Sequence, residues 1–455
     1  MSSTSTQEQG FEANYLRAIA QTDLSRRTGT VSQFLGLVVE ADGPEAFWGE
    51  RCEIRSRLQD GPTLAEVVGI KDGKVLLMPY GELHGISLGS EVVATGRFSD
   101  VPVGDALLGR VVDAFGQPLD DGPPLNLEER RPIYREPLNP LDRPSIETTL
   151  ETGVRCVDTL MTVGRGQRMG IFAGSGVGKS TLLGMICRNM NADINVIALI
   201  GERGREVMDF IKNVLGKEGL ARSVVVVATS DQSALVRSHA ALAATTIAEY
   251  FRDRGNDVVL TMDSITRFAM AQRELGMAIG EPPTSRGYTP SVFALLPRLL
   301  ERCGTTNEGS ITAFYTVLVE ADDMNDPIAD HVRAILDGGI VLSRQLANQR
   351  HYPAIDVLQS NSRLINALVS KKELEQGAML VKTVDTYERA RDMVDIGAYK
   401  TGANPELDRV LQQMPAINAF LCQPFDQRVS RSEAVQALQQ LLDGWDRYDR
   451  RSGTA

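Results

Sequence analysis

The chain has 455 residues, with 42% hydrophobic and 24% charged residues and a formal net charge of −11. That length allows two or three domains, and the acidic balance weighs against a general nucleic-acid binder while leaving room for a local basic channel. The five cysteines are scattered and form no C-x-x-C pair, a pattern that suits a reducing cytoplasm and argues against disulfides or a zinc site.

In chain order, residues 1–10 read as disordered, and the polar start lacks the apolar core of a signal peptide. Phe11, Tyr15 and Ile19 then fall at i, i+4 and i+8, one stripe of a short helix. That helix packs on its own domain or docks on a partner or membrane surface. From Gly29 to about Arg97 the pattern changes to short β-runs: Leu35–Val39, Cys52–Ile54, Ala65–Ile70, Val75–Met78 and Val92–Ala94. Asp42-Gly43, Asp60-Gly61 and Asp72-Gly73 punctuate them, which predicts a small β-barrel. A further strand is expected over Leu107–Asp113. Residues 122–144 are rich in Pro and charge and read, together with the stretch to 150, as an extended connector.

From about Cys156 apolar runs at Met169–Phe172, Val196–Ile200, Val224–Ala228, Val258–Met262 and Ile311–Val319 alternate with helical segments, the longest being Ala234–Arg254. This predicts an α/β fold, a parallel sheet with helices on both faces. After about Lys371 the strands stop. Leu374–Val381, Tyr387–Val394, Asn404–Met414 and Ser432–Trp445 read as a third, helical domain.

Three places at strand ends carry chemistry. Met169–Phe172 runs into Ala173-Gly174-Ser175-Gly176-Val177-Gly178-Lys179-Ser180-Thr181 and then a helical pattern, the parts of a phosphate-binding loop. Its glycines let several backbone N–H groups face one anion, and the helix start adds positive charge. Lys179 can reach the β- and γ-phosphates of a nucleotide, and the Ser180 hydroxyl can ligate Mg²⁺. The first position is Ala173 rather than Gly. Glu202 follows the second strand and is placed to orient or deprotonate an attacking water. Asp263 follows the strand Val258–Met262, the place of a carboxylate that holds Mg²⁺, and it can also cap the next helix. Arg203, Arg205, Arg267, Arg344 and Arg363 are candidates to stabilise a transferring phosphoryl group, and spacing alone does not choose among them.

The run from Arg165 to Ser180 resembles the type III secretion and flagellar export ATPases, relatives of the rotary ATP synthase catalytic subunits. So do Gly109–Asp113, Gly201–Glu206, Asp263–Ala269, Pro283–Tyr288, Gly309–Tyr315, Asp322–Pro327, Tyr352–Asp356 and Ser362-Arg363. In that family the first loop position is often Ala. The resemblance implies an N-terminal extension (1–28), a β-barrel (29–97), a RecA-like ATPase domain (98–370) and a C-terminal helical domain (371–455), assembled as a homo-hexamer. It implies ATP and Mg²⁺ as ligands. Lys179 and Ser180 would bind phosphate and metal, Glu202 would be the catalytic carboxylate, and Asp263 a metal-site carboxylate. Tyr352 would stack on adenine, Arg363 would reach a neighbouring subunit's site, and Arg203 and Arg267 would surround the phosphates.

The opening helix with Gly29-Thr30-Val31 and Gly36–Ala41 resembles the flagellar branch more than the virulence branch. Implied partners are a regulatory subunit at the N-terminal helix, a coiled-coil stalk protein, chaperone–cargo complexes and the export gate at the cytoplasmic face of the inner membrane, with no nucleic acid. An injectisome ATPase, a rotary synthase catalytic subunit, an RNA-translocating hexamer and a non-enzymatic nucleotide-binding scaffold are the alternatives.

Overall fold

A computed structural model describes residues 26–58, 61–319 and 323–452. The Phe11–Tyr15–Ile19 stripe and Asp322 lie outside the described residues. The chain divides into two compact units, one running to Ser99 and including 277–281, the other comprising the rest.

The first unit is a closed barrel of Thr28–Leu35 (β1), Val38–Asp42 (β2), Glu50–Arg55 (β3), Thr63–Lys71 (β4), Lys74–Pro79 (β5) and Glu91–Phe98 (β6), in the order β1-β2-β5-β4-β3-β6. Alternating inward residues fill it: Val31, Val39, Ala41, Cys52, Ile54, Ala65, Val67, Val75, Leu77, Val92 and Ala94. The β4–β5 turn holds Asp72 at φ 51° and Gly73 at φ 77°, the two positive angles that a tight hairpin of this hand requires. The run Leu35–Val39 is not one strand. Gly36 at φ 62° turns the chain between β1 and β2, so the apolar run spans a hairpin.

The second unit is built on a nine-stranded sheet. Its main path uses Val111–Val112 (β7), Arg168–Ala173 (β8), Ile194–Ile200 (β9), Ser223–Ala228 (β10), Asp257–Asp263 (β11), Ser310–Leu318 (β12), Gly338–Val341 (β13) and Asn361–Ser362 (β14). The order is β14-β13-β8-β12-β11-β9-β10-β7. The pairs from β13 to β7 are parallel, and β14 runs antiparallel on the edge. The strand expected over Leu107–Asp113 shrinks to β7, because Asp105–Leu107 closes a 3₁₀ turn. β9 and β10 are buried at every position, which is why they read as unbroken apolar runs.

Helices Lys179–Asn189 (α1), Gly204–Asp209 (α2), Ala234–Arg252 (α3), Ile265–Ala278 (α4) and Arg344–Asn348 (α5) follow strands of the sheet. Lys371–Asp395 (α6), Pro405–Leu421 (α7) and Arg431–Ser452 (α8) make the C-terminal helical domain. α6, not α3, is the longest helix, with 25 residues. The two short helical segments expected at 374–381 and 387–394 fuse into it. A capping box of Ser370 and Glu373 starts it, and the chain between the two segments contains no helix breaker. Leu380, Val384, Val410, Ile417, Phe420, Leu438 and Trp445 join the same buried cluster as Val157, Leu182, Met185 and Ile186. The helical domain thus shares a core with the helix that follows the phosphate loop.

The connector is tied down by buried charge. Arg302, 2% exposed, donates to both Glu249 carboxylate oxygens at 2.8 Å, to the Thr246 hydroxyl at 2.8 Å and to the Ile133 carbonyl at 2.7 Å. Stripping one partner from such a pair costs about 3–5 kcal/mol, because the other charge stays buried. Arg302→Met is therefore expected to lower the denaturant midpoint by that equivalent, and adding Glu249→Leu should recover much of the loss. An unchanged midpoint in the single variant would remove the tether from this account.

Candidate nucleotide site

The parallel strands deliver their carboxyl ends to one edge of the sheet, where an open α/β sheet binds ligands. At the end of β8, Gly174–Gly178 curls into α1, with Gly176 at φ 78° and Gly178 at φ 95°. Side-chain bulk on Gly178 would also come within 3.5 Å of the Tyr352 ring. That is ordinary van der Waals contact, so the left-handed angle is what calls for glycine at this position.

Lys179 opens α1 and points at two carboxylates. Its Nζ lies 2.5 Å from Asp263 Oδ1, at the end of β11, and 3.6 Å from Glu202 Oε1, just beyond β9. Asp263 is 3% exposed and accepts a second hydrogen bond from the Thr316 hydroxyl at 2.8 Å. It does not cap α4, where the Ser264 hydroxyl accepts from the Arg267 N–H instead. Burial, then the charge of Asp263, pushes the Glu202 carboxyl up to about 7, against the lowering pull of Lys179.

Lys179 and Glu202 line a cleft of about 1080 Å³ together with the phosphate loop, and Asp263 is bonded to Lys179 there. Arg203, Arg267, Arg273, Arg286 and Arg344 also face it. Arg267 lies over Gly201, where any Cβ would press within 3.0 Å of its stem. Arg286 is held at the rim by Asp323 at 2.7 Å and Asp326 at 3.0 Å.

A second, apolar cavity of about 460 Å³ opens beside Gly178, Thr181, Leu182 and Met185. Its far side is Arg350, Tyr352 and Pro353 together with Cys422–Phe425. Gln423, 3% exposed, fixes this last segment: its side chain accepts from Arg155 N–H and donates to the Gly153 and Gln427 carbonyls, each at 2.8 Å.

Of the residues proposed from sequence, the structure gathers Gly174–Thr181, Glu202, Asp263, Arg203, Arg267 and Arg344 around the cleft, and Tyr352 beside it. It does not bring Arg205 or Arg363 there. Arg363 follows the edge strand β14 and donates to the Arg333 carbonyl at 3.1 Å. Sequence reasoning missed Thr316, Arg273, Arg286 and the Cys422–Phe425 wall. A threonine inside an otherwise apolar central strand is a signal for Thr316. No local pattern points to the wall.

Comparison with known proteins bears on the order of the domains. Residues 153–362 match the ATP synthase alpha/beta family nucleotide-binding domain, 31–96 its beta-barrel domain, and 369–440 the T3SS EscN ATPase C-terminal domain. The chain is 53% identical to the flagellum-specific ATP synthase of Bacillus subtilis, over 93% of this chain and 97% of that protein. It is 49% identical to the type 3 secretion system ATPase of Xanthomonas euvesicatoria, over 95% and 98%. The structure of the assembled ATPase EscN from the enteropathogenic E. coli type III secretion system superposes with a TM-score of 0.86 at 45% identity, covering 91% of this chain and 99% of that one. Barrel, phosphate-loop domain and helical C-terminus are thus matched in order along one chain, which belongs to the family of flagellum-specific and type III secretion ATPases.

Proposed function

We propose that this ATPase hydrolyses Mg-ATP in a homo-hexameric ring and energises flagellar type III protein export. The observation that carries the chemistry is Lys179 set between Glu202 and Asp263 at the mouth of the phosphate loop. Two carboxylates face one ammonium, leaving an excess of negative charge, and Ser180, the second residue of α1, lines the same cleft. Oxygen donors with net negative charge are what Mg²⁺ takes, so the residues fit the ion. Ser180 and Asp263 would hold it, and when bound it would neutralise charge on the β- and γ-phosphates.

The roles then follow. The loop N–H groups and Lys179 hold the phosphates, with Arg203 and Arg267 around them. Glu202 takes a proton from the attacking water or orients it. The apolar cavity receives the adenine, with Tyr352 as its stacking face. Glu202→Gln should keep ATP binding but reduce turnover by about 10²-fold or more. Because the ionised form is the base, the rate should fall as pH drops through about 7, the value to which burial pushes this carboxyl. Turnover that survives the substitution would remove Glu202 from the chemistry.

Arg363 lies away from its own cleft, at the sheet edge, which suits a residue that completes a neighbour's site. Activity per subunit should then rise with protein concentration. Arg363→Ala and Glu202→Gln chains, each nearly inactive alone, should regain activity when mixed, because some interfaces then pair an intact Glu202 with an intact Arg363. A dilute, verified monomer as active as the assembly would end this reading.

For the export branch, flagellum-specific relatives span 53% to 43% identity and type 3 secretion relatives stand within that range at 49% and 46%, so the flagellar reading rests on the likeness of Gly29–Val31 and Gly36–Ala41. EscN has also been solved in complex with its central stalk EscO. We extend that to a stalk partner for this ring, together with a regulatory subunit at the N-terminal segment and chaperone–cargo complexes at an export gate. Among the described residues no helix is long and apolar enough to cross a membrane, so the proposed place at the inner membrane is peripheral. Deleting the gene should abolish flagellar filaments and leave injectisome secretion intact; the reverse would assign the chain to the other branch.

A further inference from the structure

The structure assigns Arg344 as the positioning residue that sets the phosphate loop's anion-binding conformation, an inference that rests on the nucleotide reading above. β13 lies beside β8, and the Leu342 N–H donates to the Phe172 carbonyl at 2.8 Å. The end of β13 is therefore held directly against the start of the loop. Ser343 caps α5 by accepting from the Leu346 N–H, and the next residue, Arg344, donates from Nη1 to the Ser175 carbonyl at 3.1 Å. The side chain faces the phosphate cleft on one side and, on the other, a pocket of about 190 Å³ that includes Ala173, Gly174, Val319 and Gln359.

A peptide unit carries its C=O and N–H on opposite sides. Holding the Ser175 oxygen with a guanidinium fixes where the Gly176 N–H points. Gly176 has a positive φ, and a Cβ built on it would meet nothing within 4 Å, so neither a side chain of its own nor packing around that position fixes the peptide. An anion cradle works only if its N–H groups converge and its carbonyls stay turned away. Arg344 acts on the second requirement, through the loop, and not on the transferring phosphoryl group.

This differs from an arginine finger in a measurable way. A residue that shapes the cradle serves ATP and ADP alike, whereas a finger favours the transition state. The test is Arg344→Met and Arg344→Lys in the full chain, with Kd for ADP and for a non-hydrolysable ATP analogue by calorimetry, and kcat and KM by phosphate release. Arg344→Met should weaken both nucleotides about tenfold and raise KM alike, with kcat falling less. Arg344→Lys, which keeps one charged donor, should recover most of the affinity. An unchanged thermal midpoint shows that folding is intact. A lowered kcat with ADP affinity intact, or no change in either, overturns the inference. Lys179→Ala separates the two layers of the argument. If it abolishes binding while Arg344→Met does not alter it, only the Arg344 role fails. If Lys179→Ala still binds normally, the loop is not the phosphate site and both readings fall.

Discussion

One lysine between two carboxylates sets the terms for this site. Lys179, Glu202 and Asp263 come from three separate strand ends, and each makes sense only in the company of the others. Asp263 is buried, and Lys179 and the Thr316 hydroxyl meet it, so its burial does not leave it without partners. Glu202, farther from the ammonium, is held up first by its burial and then by the like charge of Asp263, and its proton is correspondingly harder to remove. Asp263 takes the closer contact with the cation, as a metal-site candidate, while Glu202, farther off, is pushed up to about 7, as a base candidate.

That cluster depends on strand order. Parallel pairing puts β8, β9 and β11 in register with their carboxyl ends level, and β12 intervenes between β8 and β11 with Thr316 at the right height. On the other side β13 delivers Arg344 to the back of the loop. The sheet is a ruler that brings residues as far apart in sequence as Ala173 and Arg344 into one cleft. The barrel takes no part in this local geometry; its own alternating core makes it a self-sufficient unit.

Much of this was legible in the residues. Glycines before a Lys-Ser pair carry their meaning locally, since backbone curvature and helix polarity act over a few residues. Glu202 and Asp263 were readable because a carboxylate after a buried strand must surface at the sheet's edge. The fold class followed from the change of period at about Cys156. Other features were hidden because they depend on long-range pairing. Gln423 meets Tyr352 and Gly153 only through the return of the chain from the helical domain. Arg302 and Glu249 look like ordinary surface charges until packing buries them together. The break between β1 and β2 was missed because an apolar run has no period with which to announce a turn. The fusion of α6 was missed because its mostly exposed surface leaves only a sparse apolar stripe: Gly377, Leu380, Val384 and Ala390.

The wall at Cys422–Phe425 joins a binding cavity to a distant part of the chain. Its one buried polar side chain, Gln423, is bonded to Gly153 and Arg155, while its backbone N–H donates to the Tyr352 carbonyl at 3.0 Å. Any group that enters the cavity presses on two surfaces at once, one belonging to the sheet and the other to the C-terminal helices. A group bound there would touch both the helix that follows the phosphate loop and the segment that leaves α7, two parts of the chain that share one buried core.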